Sequence, residues 1–62
     1  MRLYRVSIFK VNRDGSGTGL AVWERWGTDS DAVRESTKLA AAAEWPGVLL
    51  EVCVNGEVKV AA

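Results

Sequence analysis

The serine and cysteine side chains that could act as nucleophiles are Ser7, Ser16, Ser30, Ser36 and Cys53, in a chain that has no histidine. A serine or thiol nucleophile needs a nearby base to activate it, and the usual base is absent. Carboxylates are present, but a catalytic pair needs a cleft, and 62 residues leave little room for one. Cys53 is the only cysteine, so no internal disulfide forms, and one cysteine without histidine excludes a zinc cage. With no cation or helix start placed to lower its pKa, Cys53 reads as a small packed side chain. Residues 14–19, DGSGTG, are rich in glycine but lack the phosphate-loop lysine, and a strand follows them where that motif needs a helix. They are expected to form a mobile hairpin tip, with Lys10 and Arg13 close enough to touch a phosphate or an acidic partner. The residues therefore predict neither an enzyme, nor a metal site, nor a bound cofactor.

What remains is recognition, and VWERW at residues 22–26 is the stretch best suited to it. Residues 3–11 alternate in type, with Tyr4, Val6 and Ile8 on one side and Leu3, Arg5, Ser7 and Phe9 on the other. That period of two predicts a strand. Residues 20–26 resume strand chemistry after the glycine-rich loop, so the first unit is a hairpin.

After Gly27, Thr28 and Asp31 have capping-box spacing, and acidic residues crowd the first turn of a predicted helix. Ala32, Val33, Ser36, Leu39, Ala40 and Ala43 fall on one arc of that helix, which runs for about four turns and stops near Trp45 and Pro46. An arc of such small residues needs large partners to reach interior packing density. Tyr4, Ile8, Trp26 and Trp45 are expected to supply that volume, the two tryptophans clamping the ends of the helix. With Trp26 inward, alternation sends Trp23 and Arg25 outward and leaves Glu24 facing in. The alternative is a β-bulge near Glu24 and Arg25 that turns both tryptophans to the core.

Residues 48–54 read as a third strand, and Asn55-Gly56 as a turn into a fourth, EVKVA. A three-residue bulged loop would pair Val52 with Val58, Leu50 with Val60 and Glu51 with Lys59. The expected architecture is a single α+β domain of topology β-β-α-β-β. Its four-stranded antiparallel sheet has order 2-1-3-4, with the helix on one face and the other face open.

The net charge is zero, but residues 1–26 carry +3 and residues 27–62 carry −3. Such a dipole steers an oppositely charged partner or favours self-contact. No apolar run approaches a membrane span, and no signal peptide is visible, so a cytoplasmic protein is expected. Beginning at Met1 and ending at Ala62, the chain is expected to be a whole small protein. The candidate binding residues are Arg5, Phe9, Lys10, Arg13, Trp23 and Arg25, joined on the open face by Leu3 and Leu49. A protein partner is the first expectation. Single-stranded nucleic acid stacked on the aromatic residues is the second, opposed by the acidic C-terminal half. A homodimer seal that completes a small core is the third.

LYRVSIF, a glycine-rich turn, TDSDAV opening an alanine-rich helix, and GVLLEVCVNGEVKV together resemble the small orphan proteins of phages and mobile elements. Several anti-CRISPR inhibitors are similar in size and β-β-α-β(-β) layout. The resemblance covers nearly all of the chain as a pattern and implies a cytoplasmic protein that acts by occluding a host surface, without catalysis.

Overall fold

Alternating apolar residues, many of them β-branched, make Arg2–Val11 a strand (β1), and a second strand, Gly17–Gly27 (β2), folds back beside it. In the computed structural model, which describes residues 1–58 and the last four of these by backbone pairing alone, a helix Ser30–Glu44 (α1) and a strand Leu50–Val58 (β3) follow. The fold is α+β, with one antiparallel sheet of order β2-β1-β3. β1 is central, and β3 lies beside it as expected.

Two points of the sheet depart from expectation. Among the described residues it has three strands rather than four, because Asn55 and Gly56 lie inside β3 instead of in a turn. Val6 pairs with Val54 and Arg5 with Gly56, leaving Asn55 as the extra residue of a bulge. Val58 thus continues the strand that holds Val52 and pairs with Leu3. The expected pairings of Leu50 with Val60 and of Glu51 with Lys59 involve residues 59 and 60, outside the described residues. The second departure is at the hairpin tip. Gly15 adopts φ +86°, its N–H donates to Asn12 O at 3.0 Å, and Asn12 N–H donates to Ser16 O at 2.8 Å. This is a closed three-residue loop with glycine in the left-handed position. The Asn12 amide also donates to Thr18 Oγ1 at 2.8 Å, so the tip is tied down rather than loose.

Register decides which face each side chain takes, since paired residues share a face. Tyr4, Val6 and Ile8 point to the helix and form the buried core with Val33, Ala41 and Val52. In β2, Ile8 pairs with Ala21 but Phe9 pairs with Gly19, so Leu20 is a bulge residue. Alternation counted from Gly19 would turn Trp23 outward; the bulge reverses it. Trp23 pairs with Val6 and faces the helix, while Trp26 pairs with Leu3 and faces away, 55% exposed. The expected assignment of the two tryptophans is therefore reversed. No register shift falls at Glu24 or Arg25.

The helix is also turned. Its buried residues are Val33, Thr37 and Ala41, spaced four apart, whereas Leu39 is 76% exposed. That is about a quarter turn from the expected arc. Contacts at the two ends fix the rotation. At the start, a Cβ on Gly27 would lie 2.1 Å from Val33 Cγ2, so the strand end and the helix touch backbone to side chain. At the other end Trp45, the C-cap residue, lies against the core, as its expected clamping role requires. Thr37 is tolerated inside because its hydroxyl donates to Val33 O at 2.6 Å. The N-cap is Asp29, not Thr28: its carboxylate accepts from Ala32 N–H at 2.8 Å. Gly47, at φ +76°, ends the helical segment and turns the chain toward β3.

Gly27 tolerates no side chain while Val33 keeps its one favoured helical rotamer. Gly27→Ala is expected to cost about 1–3 kcal/mol, the usual range for overpacking. Urea unfolding measures this loss, which should be smaller when Gly27→Ala is made in a chain already carrying Val33→Ala.

Candidate interaction face

The face of the sheet turned away from α1 is built in rows by the register. Leu3 lies beside Trp26, Arg5 beside Glu24, Ser7 between Val22 and Cys53, and Phe9 between Gly19 and Glu51. A last row begins with Val11 and Gly17, and Val11 N–H donates to Leu49 O at 2.9 Å. Val22 is 63% exposed and Leu49 69% exposed. Phe9 is half-buried because its ring lies across Gly17 and Gly19, where an added Cβ would meet it at 3.6 and 3.9 Å. The two glycines thus form a shallow seat for one aromatic ring, a use of the glycine-rich stretch that the sequence did not reveal.

Of the expected binding residues, this face brings together Arg5 and Phe9, about 13 Å apart along β1. Trp23 and Arg25 are not on it. Trp23 stacks on Trp45 with ring centroids 5.8 Å apart and planes 23° from parallel, an arrangement worth about 0.5–1.5 kcal/mol beyond burial. Arg25 pairs with Tyr4 on the helix side and is half-buried. Lys10, exposed, pairs with Thr18 and Leu50 at the hairpin end of the helix-side face, and Arg13 is exposed at the tip. Trp26, Val22, Glu24 and Glu51 are the face residues that sequence reasoning missed. Glu24 was the usable signal: a carboxylate on a strand with one covered face belongs on the solvent side, and it carries Val22 and Trp26 with it.

Charge on the face is mixed. Arg5, Glu24 and Glu51 are exposed, and none of them closes an ion pair among the described residues. The two ion pairs seen on α1, Arg34–Asp31 at 2.9 Å and Lys38–Glu35 at 3.9 Å, are exposed and contribute little. At the tip, hydrogen bonds from the Ser16 hydroxyl and then the Ser16 N–H hold the Asp14 carboxyl below the usual range. Cys53 is half-buried beside Ser7. Among the described residues no group of three or more cysteine or acidic side chains is placed to hold a metal ion. No helix there is long and apolar enough to cross a membrane.

No protein-family model matches the chain, and no curated protein or solved structure is significantly similar to it.

Two measurements check this geometry. Acrylamide should quench one tryptophan strongly, and Trp26→Phe should remove that accessible component, while Trp23→Phe and Trp45→Phe leave it in place. By proton NMR, Asp14 should titrate below its ordinary value of 3.8, and Ser16→Ala should return it toward 3.8. Because the folded-state value is the lower one, this contribution to stability is present above the unfolded pKa. It disappears as pH falls through the folded pKa.

Proposed function

We propose that the protein is a small non-enzymatic interaction module that binds another protein through the open sheet face. The observation that carries this reading is Trp26, 55% exposed on a sheet face that the helix does not cover, with Leu3 beside it and Val22 two rows along. Tryptophan and arginine anchor interfaces more often than other side chains, and both stand on this face as Trp26 and Arg5. Burial of the exposed part of an indole contributes about 2–3 kcal/mol at 25 cal/mol per Å2. The unpaired charges set around the apolar residues give such a contact its register. Occlusion of a host surface, as the resemblance to small phage inhibitors implies, is one form this binding takes. For single-stranded nucleic acid the same face is a poorer fit, because Glu24 and Glu51 stand on it where phosphates would run.

The test is affinity capture with the tagged chain, comparing the wild type with Trp26→Ala. Loss of a hot-spot tryptophan is expected to weaken retention about thirtyfold or more, with an unchanged far-UV circular dichroism spectrum. Equal retention by the two chains overturns the reading.

A further inference from the structure

We infer that the open face binds a second copy of this chain, in one specific antiparallel arrangement; the inference rests on the reading of that face as an interaction surface. The face has self-complementary rows. On either side of the central row of Ser7, Val22 and Cys53 lie the row of Arg5 and Glu24 and the row of Phe9 and Glu51. Beyond these lie the row of Leu3 and Trp26 and the row of Val11 and Gly17. Turn a second copy about a two-fold axis that crosses the strands at the central row, and each strand lies antiparallel on its own copy. The Arg5 row then meets the Phe9 row, and the Leu3 row meets the Val11 row.

The meetings of Arg5 with Phe9 and of Trp26 with Gly17 are favourable. Arg5 comes over the partner's Phe9 ring, with the partner's Glu51 one strand away, about 5 Å to the side. The two-fold repeats this pair, so the contact uses two arginines and two glutamates, all exposed and without an ion pair among the described residues. Trp26 comes over the partner's Gly17, at the edge of the ring that Phe9 lays across its glycine seat. At the axis the residues are small or β-branched. Glu24, on the edge strand β2, faces the partner's Gly19, and among the described side chains no like charges face each other. The alternative two-fold, along the strands, places Arg5 of central β1 on its own copy and is excluded by repulsion.

The dimensions agree with a reversible dimer. Ten-residue strands, three abreast, make a face about 33 Å by 14 Å, and two such faces remove on the order of 1,000 Å2 from water. That is below the usual range for a stable interface and fits a weak, reversible one. The product is a sandwich of two three-stranded sheets with the helices outside, packed about 10 Å apart.

Sedimentation velocity on the whole chain from micromolar concentration upward is expected to show a reversible dimer. Arg5→Glu and Glu51→Arg should each weaken it about tenfold or more, and the chain carrying both should associate more tightly than either single variant. A bismaleimide spanning the gap between packed sheets should join two copies through Cys53 only in chains that dimerise. The regained dimer separates lost charge pairing from lost folding, since two damaging substitutions do not repair a fold. A chain that stays monomeric throughout, or a double variant as weak as either single one, overturns the inference. If that monomer still captures another protein in a Trp26-dependent way, the interaction-module reading stands without it. If capture is independent of Trp26, both fall.

Discussion

The stack of Trp23 on Trp45 is the contact on which the rest of the arrangement turns. It joins the middle of β2 to the last residue of the helical segment, and it requires Trp23 to face inward. The bulge at Leu20 makes that possible by reversing the alternation of β2 partway along. Once Trp23 is fixed, every neighbour is fixed with it: Arg25 lies on the helix side, while Val22, Glu24 and Trp26 face the other way. One extra residue in one strand therefore sets the composition of both faces of the sheet.

The second constraint is the narrow gap between sheet and helix. α1 offers Val33, Thr37 and Ala41, which are short side chains, so the helix settles close to the sheet, and most of all to β3. Gly27 allows the approach at one end, and the tryptophan pair closes the other. A helix of 15 residues is about 22 Å long, against strands of about 33–36 Å. The hairpin arm thus extends past the helix, and the hydrogen bonds of Asn12, Asp14 and Ser16 hold its tip without a core beneath it.

A small domain that commits one sheet face to its core leaves the other to solvent, and the makeup of that face then carries functional meaning. Here it holds a tryptophan, a valine and a half-buried phenylalanine between separated charges of opposite sign. Apolar side chains favour association in general, whereas the order of Arg5, Glu24, Phe9 and Glu51 along the rows favours one orientation. The proposed protein binding by this face and its proposed pairing with a second copy rest on the same features.

Much of the fold was legible locally. The alternation of Tyr4, Val6 and Ile8 marked the core side of β1, and Pro46 with Gly47 marked the end of the helix. The crossover helix between β2 and β3, which run parallel on either side of β1, placed β3 beside β1. Part of the candidate face was legible too, since Arg5 and Phe9 follow from the alternation of β1. Trp26 did not, nor did the inward turn of Trp23, because period-two patterning carries no information past a bulge whose position local residues leave open. For the same reason Asn55-Gly56 read as a turn: a bulge and a hairpin draw on the same permissive residues. The rotation of α1 was equally undetermined, because an alanine-rich helix has no dominant apolar stripe. The sequence by itself determined β1, β2 and α1 as strands and helix, since those follow from spacing and capping within a few residues. Only the tertiary structure decided which side each β2 residue takes, because that depends on what Trp45 and Val33 touch across the fold.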